Sequence, residues 1–460
     1  MALVLVAILF VLTIVGFARP YIGFLALLIV MELQPGELYP SLLPFHLERI
    51  IAGLVLVAFV MHGAKWRFPA PTRWFLAFYG AMIVSIPLAY WRTNSLVSCI
   101  SFLEILVLCL LATALLTTEN RIRSFVLISV LLFDWLGGSA LYNYHHGIWQ
   151  YRQHIERAIG ITSSAGDPNT LALTVLSTIP LSIALLVRSN ALWVRCIGIA
   201  SIVFGVATIV DTGSRSSAFG LVFLVLLLMA RKPKSFIYLP FLIALSPVVW
   251  MMVPQQYKAR YETVDNLKAD ESFQLRKLSW QGGVAMFESN PITGVGAGNY
   301  ATANGEKYWP GTGHKIWLDA HSLYFKLLGE LGLVGIFTFG GYLICLFRLN
   351  WRLRKEFLKE NSSSFLKILP SMLSVILCQL LFAGYAAHDL YRIQWFTVGA
   401  MAASLSLLPA FSQNIAVEES AGQSTLHPPG TLSPTGATHE WSGSLLPVLR
   451  KQVPVDGPLG

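Results

Sequence analysis

The stretch Ser95–Thr117, SLVSCISFLEILVLCLLATALLT, contains a single charged residue, Glu104, in an otherwise uncharged and largely apolar run. A helix needs about 20 such residues to cross the roughly 30 Å of hydrocarbon in a bilayer. This run is long enough, and runs of similar character recur along the chain. The chain is 55% hydrophobic and only 12% charged, with a mean hydropathy of +0.61. Because soluble domains carry about 25% charged residues, we expect an all-α polytopic integral membrane protein.

The apolar runs predict about thirteen membrane-spanning segments, within a range of twelve to fourteen because the first two are short. The first run has no basic start and no small-residue cleavage site, so we interpret it as a retained helix and not as a signal peptide. The predicted spans lie near residues 2–17, 20–33, 48–62, 73–91, 95–117, 122–141, 169–187, 191–210, 216–230, 235–253, 321–347, 365–384 and 391–410.

Lysine and arginine residues concentrate in short loops between the apolar runs. If the spans alternate in direction, these loops share one side of the membrane, which the positive-inside rule assigns to the cytoplasm. This distribution explains the net charge of +9 without a nucleic-acid partner. The opposite side carries residues 142–167, the turn at 211–217 and the long loop 254–320, which we expect to form a small cap with amphipathic helices. The basic loops are Lys65/Arg67/Arg73, Arg121/Arg123, Arg188/Arg195, Arg231/Lys232/Lys234 and Arg348/Arg352/Arg354/Lys355/Lys359.

The composition changes after Phe411 to a segment rich in Ser, Thr, Gly and Pro without an apolar period. We therefore expect a transmembrane helical domain over residues 1–411 and a disordered cytoplasmic tail over residues 412–460. The five cysteines lie in or beside apolar runs without a C-x-x-C pair, so we interpret them as small buried hydrophobes. No zinc or haem spacing occurs in the sequence, and we expect no metal and no other cofactor.

The segment DTGSRSSAFG, Asp211–Gly220, is the first candidate site. It places Arg215 where an outer loop turns into a helix, with the hydroxyl groups of Ser214 and Ser216 beside it. The free N–H groups and positive dipole end of a helix start favour anions, and an adjacent guanidinium strengthens such a site for a phosphate or diphosphate. The alternative is an N-capping turn whose arginine pairs with Asp211 or extends to lipid headgroups.

The segment DAHSLYFKLLGELGLVG, Asp319–Gly335, is the second candidate. If residues 321–335 are helical, His321 shares one face with Gly332 and Gly335. Glycines on one face allow a neighbouring helix to approach closely, which would hold the histidine rigidly at the outer surface. A histidine with a pKa near neutrality can take a proton from a hydroxyl group. The alternative is a capping histidine at the membrane interface.

Two further segments are predicted to lie on the same side. In Arg276–Tyr300, the glycines at 294, 296 and 298 suggest a dinucleotide-binding loop, but no strand precedes them, so we interpret NPITGVGAGNY as a tight turn. Arg276 is a second candidate anion ligand, with a surface salt bridge as its alternative role. In GDPNTLA, Pro168 marks a helix start and Asn169 is a possible supporting residue of the site, as is Asp211, although capping is the default interpretation.

Taken in order, these motifs resemble the O-antigen ligase and polymerase superfamily. TGSRSS stands before a helix, and NPITGVGAGNY and DAHSLYFKLLGELGLVG follow after a long outer loop. The ligase branch has a loose signature of His, then Asn, Ser or Gln, nine residues, Gly, two residues, and a small residue or Tyr. His321-Ser322, Gly332 and Gly335 match it. GDPNTLA also resembles a helix start common in that family, and the detailed resemblance covers roughly residues 160 to 345.

The resemblance implies transfer of a glycan from undecaprenyl diphosphate to an acceptor hydroxyl group at the periplasmic face of a bacterial inner membrane. Arg215 and Arg276 would hold the diphosphate, with Ser214 and Ser216 beside them, and His321 would be the base. The expected partners are the carrier-linked glycan, membrane lipids and an acceptor. The acceptor is lipid A–core in ligases, another carrier-linked repeat in polymerases, and a protein Ser or Tyr in related protein O-oligosaccharyltransferases.

Two other classes remain as alternatives. A membrane lipid phosphatase would need further His and Asp partners downstream of the Ser-Arg pair, and the following SSAFGLVFLVLLL supplies none. A transporter or flippase for lipid-linked sugars would show broken helices or charges near mid-bilayer. The middle parts of the predicted spans are nearly uncharged here, with Glu104 and Asp134 as the main exceptions. We therefore expect an O-antigen ligase-like glycosyltransferase and keep the transporter as the alternative from another class.

Overall fold

The fold is almost entirely helical. The computed structural model describes residues 11–152, 155–162, 166–188, 191–231, 233–240, 271–312, 314–360, 362–387 and 390–409, with a few single positions between 243 and 258. Within these ranges, seven helices are long and apolar enough to cross a membrane, and three shorter apolar helices of 10–17 residues accompany them. This confirms the prediction of an all-α polytopic membrane protein.

Twelve helices of more than ten residues run through the described ranges. A short antiparallel hairpin, β1 (Gln150–Arg152) and β2 (Ile155–Arg157), connects the fifth helix to the sixth. The helices are α1 (Pro20–Leu33), α2 (Leu47–Met61), α3 (Ala70–Ser85), α4 (Arg92–Leu115), α5 (Glu119–His145), α6 (Pro168–Arg188), α7 (Leu192–Asp211), α8 (Arg215–Ala230), α9 (Glu271–Ser289), α10 (Leu323–Lys359), α11 (Ser364–Ala383) and α12 (Ile393–Leu405).

The helices agree with the predicted spans. Each prediction from 20–33 to 216–230, and from 365–384 to 391–410, coincides with one of them to within about six residues, whereas the helix predicted at 321–347 extends twelve residues further, to Lys359. Residues 11–18 are helical within the predicted first span. The span predicted at 235–253 and loop residues 254–270 lie almost wholly outside the described residues, as does the predicted tail from residue 412.

The connections between helices gather at two ends of the bundle. At the end termed here the basic end, which carries Arg121 and Arg123, Tyr21 at the start of α1 donates a hydrogen bond to the Arg121 carbonyl group (3.1 Å). Ser363, before α11, donates to Glu119 at the start of α5. These contacts bring together the starts of three helices, as the predicted alternation of direction requires.

The opposite end, termed the cap end, carries α9 and the turn Gly384–Ala386. There Leu323 N–H, at the start of α10, donates to the Gly384 carbonyl group at the end of α11 (2.7 Å). Likewise, Ala158 N–H donates to Asp211 O at the end of α7 (2.8 Å). The described part of the long loop, residues 271–320, packs at this end around a small apolar cluster that includes Met286 and Tyr300. The predicted cap is therefore present, built on α9.

Aromatic packing holds α10 and α12 together inside the bundle. The Phe75 and Phe396 rings stack with centroids 4.4 Å apart, and Phe102 meets Phe396 edge to face at 4.9 Å. Tyr342 on α10 donates a hydrogen bond to the Trp395 carbonyl group (3.1 Å), satisfying its buried hydroxyl group. Such pairs add about 0.5–1.5 kcal/mol beyond area burial, so this cluster stabilises the packing of α12 on α3 and α4.

Candidate active site

A break in α10 organises the cap end. Gly332 has φ 55° and ψ −148°, so α10 consists of two helical pieces that meet at this residue. Helical structure begins at Leu323, with Ser322 as the N-cap, and His321 precedes it. The prediction that residues 321–335 form one helix, with His321, Gly332 and Gly335 on a common face, is therefore wrong. The apolar pattern continues across the break, which hides it from sequence reasoning.

The predicted role of the two glycines in helix–helix packing is also corrected. A Cβ on Gly332 would lie 2.6 Å from the Pro291 carbonyl oxygen, so this glycine admits the NPITG loop. A Cβ on Gly335 would collide with Leu331 on the first piece of the same helix. Both glycines therefore allow α10 to break at this point. At neither position is another helix the closest group to an added Cβ.

The loop Asn290–Asn299 fills the break with hydrogen bonds. Interrupting a helix leaves N–H and C=O groups without partners, and such groups are costly to bury. Loop carbonyl groups accept from the first N–H groups of the second helical piece, and loop N–H groups donate to the last carbonyl groups of the first piece. The four bonds are Leu333 N to Pro291 O (2.9 Å), Val334 N to Ile292 O (3.1 Å), Val295 N to Gly329 O (2.8 Å) and Gly296 N to Glu330 O (2.9 Å).

Three glycines shape this loop. Gly294, Gly296 and Gly298 have φ of 61°, 92° and 76°, in the left-handed region that side chains disfavour. An added Cβ on Gly294 would overlap the backbone of Glu330, and one on Gly296 would overlap Ala89 before α4. The interpretation of NPITGVGAGNY as a tight turn is confirmed, and the dinucleotide-binding alternative has no support in its geometry.

Glu330 fastens the loop from inside, and sequence reasoning missed it. Its carboxylate is fully buried and accepts three hydrogen bonds, from Gly298 N (2.9 Å), Tyr300 N (3.0 Å) and the Tyr391 hydroxyl group (2.6 Å). A buried carboxylate is tolerated only when its oxygens are satisfied in this way. Its position inside an apolar run could have identified it from sequence, because acidic residues are rare within membrane spans and mark paired or functional positions.

Tyr391 connects Glu330 to the segment before α12. Burial, together with the neighbouring Glu330 carboxylate, raises the pKa of the Tyr391 phenol well above its ordinary value. The hydroxyl group therefore stays protonated and donates to the carboxylate. One side chain of α10 thereby holds the glycine loop and the α12 entrance in fixed positions.

His321 occupies a constrained position between two anchored residues. Its φ of 45° lies in the left-handed region, uncommon for a residue other than glycine and enriched for His, Asn and Asp. On one side, the Ala320 carbonyl group accepts a hydrogen bond from Trp280 Nε1 (2.8 Å). On the other, Leu323 N–H is bonded to the Gly384 carbonyl group (2.7 Å). These bonds hold the backbone on both sides of the half-buried histidine.

An ion pair flanks His321 in the chain. Asp319 Oδ2 lies 2.7 Å from Lys326 Nζ, and the other carboxylate oxygen of Asp319 accepts from Ala320 N–H (2.7 Å). Lys326 N–H donates to the Ser322 carbonyl group in the first turn of α10 (3.0 Å). The ion pair therefore joins the two ends of the segment Asp319–Lys326, which contains His321.

Arg276 lies beside the same turn as His321. Its Nη1 donates to the Ala386 carbonyl group (3.3 Å). One helical turn further along α9, Trp280 stacks on Phe325, with ring centroids 5.1 Å apart and planes 10° apart. Since Trp280 also donates to the carbonyl group next to His321, α9 brings Arg276 to the His321 segment. Arg276 and the His321 segment therefore both bond to the turn Gly384–Ala386.

Arg215 is the first residue of α8, as predicted, and Ser214 is its N-cap. The buried Ser214 hydroxyl group lies 3.2 Å from the hydroxyl groups of both Ser216 and Ser217. The helix start, the arginine and the hydroxyl cluster expected from TGSRSS are thus present together. This is a suitable environment for an anion, because the N–H groups of the first turn and the guanidinium carry the same sign of charge.

Packing of α8 against α11 orients Arg215 toward the cap end. Phe223 stacks on Phe382 with centroids 4.5 Å apart. Arg215 lies two turns before Phe223, a distance of about 12 Å along the helix. Phe382 is next to the last residue of α11, so α8 packs on the part of α11 that leads into the turn Gly384–Ala386, and Arg215 precedes this contact by two turns.

Asn169 and Asp211 have structural partners. The buried Arg157 of β2 donates to Asn169 Oδ1 (2.9 Å) and to the Thr212 carbonyl group (2.7 Å), which fixes the hairpin to the start of α6 and the end of α7. Asp211 Oδ2 lies 3.5 Å from His145 Nε2. Nearby, Asp167 accepts from the Thr170 N–H group (3.0 Å), so the capping interpretation of GDPNTLA is confirmed. Arg157 was not singled out from sequence.

A cavity of about 650 Å³ adjoins the His321 segment. It lies between the end of α1, the start of α2, α4 and the entrance of α12, and Lys326 and Tyr391 form part of its wall. Sequence reasoning did not predict it, because residues far apart in the chain line it. Among the residues that the structure describes, no group of three or more His, Cys, Asp or Glu side chains is arranged to bind a metal ion.

Residues 199–340 match the family model described as O-antigen ligase. The matched range begins in α7, includes Arg215, Arg276 and His321, and ends beyond the Gly332 break. No curated protein matches the chain. Over residues 199–340, which are 142 of the 460 residues, the chain is therefore similar to the O-antigen ligase family.

Proposed function

We propose that this protein transfers a glycan from undecaprenyl diphosphate to an acceptor hydroxyl group at the periplasmic face of a bacterial inner membrane, as an O-antigen ligase. The observation that carries the proposal is that Arg276 and the His321 segment both bond to the turn that follows α11, while Arg215 begins α8, which packs on the last turn of α11. All three lie within the range that matches the O-antigen ligase family. The positive-inside distribution of Lys and Arg supports the periplasmic location of the cap end.

The two arginines suit the leaving group. When the bond between the sugar and the diphosphate breaks, negative charge develops on the phosphate oxygen. Guanidinium groups bind phosphate through parallel hydrogen bonds, and the N–H groups at the start of α8 add donors that need no reorganisation. Arg215 and Arg276 would hold and stabilise the departing undecaprenyl diphosphate in this way, with Ser214 and Ser216 beside them.

His321 suits the acceptor. A neutral imidazole takes the proton of the acceptor hydroxyl group as its oxygen bonds to the anomeric carbon of the glycan. The bond from that carbon to the diphosphate breaks, and the electron pair leaves with the phosphate oxygen. The products are the glycosylated acceptor, undecaprenyl diphosphate and a protonated His321. The anchored backbone on both sides of His321 supports this role, because general bases act only from a defined position.

The alternatives differ in acceptor or in class. A polymerase or a protein O-oligosaccharyltransferase would use the same three residues with another acceptor. A transporter of lipid-linked sugars is the alternative from another class, and the break at Gly332 belongs to the kind that transporters contain. Here the loop satisfies four backbone groups at the break, which favours a fixed framework over a moving helix.

The test is a deletion strain complemented with the wild-type chain or with single variants. His321→Ala, Arg215→Ala and Arg276→Ala are each expected to abolish glycan transfer while the protein still inserts in the membrane. Matched controls are His314→Ala, an exposed residue of the same loop region, and Arg352→Ala, an exposed residue toward the other end of α10. Normal surface glycan with His321→Ala would overturn the assignment of the base.

The glycan profile of the deletion strain separates the subclasses. Long carrier-linked chains that fail to reach lipid A–core indicate a ligase, whereas single repeat units on lipid A–core indicate a polymerase. An unchanged lipopolysaccharide with altered protein glycosylation indicates a protein O-oligosaccharyltransferase. Accumulation of carrier-linked units on the cytoplasmic side alone would support the transporter instead.

A further inference from the structure

The 650 Å³ cavity beside the His321 segment has the size and lining of a binding site. Cavities that hold small molecules measure about 300–1,000 Å³. Its wall combines residues from both halves of the chain: Glu32 at the end of α1, Thr174 on α6, Lys326 on α10, and Arg392 and Gln394 at the entrance of α12. The residues that line it do not include Arg215, Arg276 or His321.

A buried polar group in the cavity wall lacks a hydrogen-bond partner. Thr174 Oγ1 accepts hydrogen bonds from Arg392 Nη1 (3.1 Å) and Gln394 Nε2 (3.4 Å), so these side chains hold one another in place. The Gln394 side chain is only 7% exposed, and its Oε1 accepts no hydrogen bond from the described residues. Burying an acceptor without a donor is unfavourable, and a donor group on a ligand would relieve that cost.

The charges in the cavity indicate the chemistry of that ligand. Four carboxylates line the wall together with two permanent cations, Lys326 and Arg392, and Arg49 pairs with only one of the four, Glu104 (2.9 Å). A diphosphate would be repelled by such a lining, so the donor's leaving group does not suit it. Carboxylate and amide oxygens accept hydrogen bonds from hydroxyl groups, and the two cations donate to hydroxyl or ring oxygens. The carboxylates are Glu32, Glu37, Glu48 and Glu104.

The cavity and His321 share one structural unit. Lys326 lines the cavity and pairs with Asp319, two residues before His321. Tyr391 also lines the cavity and is bonded to Glu330, which holds the glycine loop. A ligand in the cavity would therefore contact the side chain that closes the loop around the histidine. Arg276 reaches the same segment through the turn Gly384–Ala386.

We propose that this cavity binds the acceptor sugar and presents its nucleophilic hydroxyl group to His321, an inference that rests on the proposed function. The two substrates then approach His321 from separate sites, the diphosphate at Arg215 and Arg276 and the acceptor at the cavity. Separation by charge keeps the anionic carrier out of the acceptor site. The sugar is recognised by its hydroxyl groups, with Gln394 Oε1 accepting from one of them.

Two pairs of variants test this assignment. Thr174→Val keeps the shape of the side chain but removes the oxygen that holds Arg392 and Gln394. Its control is Thr178→Val, one turn further along α6, because the Thr178 hydroxyl group bonds within the helix. Ser101→Trp fills the cavity from α4, and its control is Val97→Trp, one turn earlier on an exposed face outside the cavity. Purified full-length proteins are assayed with undecaprenyl-diphosphate glycan and with lipid A–core from the deletion strain.

Thr174→Val is expected to raise the KM for lipid A–core about threefold to tenfold at saturating donor, as loss of one or two hydrogen bonds implies, with an unchanged KM for the donor. Ser101→Trp should abolish saturation by the acceptor. Equal KM values for lipid A–core in Thr174→Val and Thr178→Val, or a change in the donor KM alone, would overturn this assignment of the cavity. Glycan transfer by the wild-type protein in the same assay would still support the proposed glycosyltransferase function.

A binding measurement separates the two levels of inference. Lipid A–core should raise the melting temperature of the inactive His321→Ala protein, and adding Ser101→Trp to that protein should remove the shift while Val97→Trp preserves it. A shift that survives Ser101→Trp would place the acceptor elsewhere. Absence of transfer by the wild-type protein with every acceptor would overturn the proposed function and this assignment together.

Discussion

Replacing Gly332 with alanine should destabilise the protein, whereas the same substitution at Gly340, in the same helix, should not. Gly332 has φ 55° and ψ −148°, which glycine adopts readily and alanine does not. A Cβ there would also lie 2.6–2.8 Å from backbone atoms of Pro291 and Ile292. Gly340 is helical, and a Cβ at that position would meet no atom within 4 Å.

The magnitude follows from these contacts. A residue forced into such a backbone region costs about 1–3 kcal/mol. Movement of the loop to admit the methyl group would weaken the bonds that its carbonyl groups accept from Leu333 and Val334, at about 0.5–1.5 kcal/mol each. We expect Gly332→Ala to lower the free energy of unfolding by about 2–6 kcal/mol. Gly340→Ala should raise it by up to about 1 kcal/mol, because alanine is the better helix former.

Thermal unfolding of the detergent-purified full-length proteins, followed by tryptophan fluorescence, measures the difference. Gly332→Ala is expected to melt several degrees below the wild type and Gly340→Ala at or above it. Glycan transfer should fall in Gly332→Ala because the loop and His321 segment share the first piece of α10. If both variants shift the melting temperature in the same direction by similar amounts, the argument that the break requires glycine is wrong.

The buried polar groups at the cap end give further predictions. Glu330→Gln leaves one of three donors without an acceptor, so we expect a loss of about 1–3 kcal/mol in a chemical unfolding titration. The raised pKa of Tyr391 means that the phenol ionises first in the unfolded chain, so stability falls as pH rises above about 10. Tyr391→Phe should therefore flatten the melting temperature between pH 9 and 11. Arg157→Ala removes the bonds to Asn169 and Thr212 and should lower the melting temperature and expose the hairpin to limited proteolysis.

Matched variants check these three expectations. Glu356→Gln, on the far part of α10, weakens a surface ion pair with Lys359 and should change stability by less than about 0.5 kcal/mol. A pH profile of Tyr391→Phe that follows the wild type would contradict the linkage argument. Unaltered proteolysis of Arg157→Ala would show that the hairpin is held by other contacts. Arg352→Ala is the exposed arginine control.

The helices could be predicted because their cause is local. Residues 20–33 were predicted as a span, and the helix is Pro20–Leu33, with proline in the position where its missing N–H group is harmless. In a bilayer every backbone group must be bonded within its own segment, so apolar length alone identifies a helix. The start of α8 at Arg215 was predictable for a similar reason, since Ser214 and the apolar run after it are neighbours in the chain.

The break in α10 could not be predicted in this way. The apolar pattern of LLGELGLVGIF runs through Gly332 without interruption. A continuous helix is the best local solution, and it loses only because the loop at residues 290–298 supplies partners for four backbone groups. The position of His321 before the helix, with a left-handed backbone, depends on bonds from Trp280 and to Gly384 on two other elements.

The sequence by itself determined the membrane class, most of the helix boundaries and the identities of Arg215, Arg276 and His321 as candidates. The bonds of Arg276 and the His321 segment to the turn after α11, the buried carboxylate of Glu330 and the cavity beside Lys326 were decided only by the tertiary structure. The physical reason is the range of the interactions. Apolar burial and helix capping act between near neighbours in the chain, whereas the bonds that shape the cap end join residues separated by tens to hundreds of positions, and no local pattern records them.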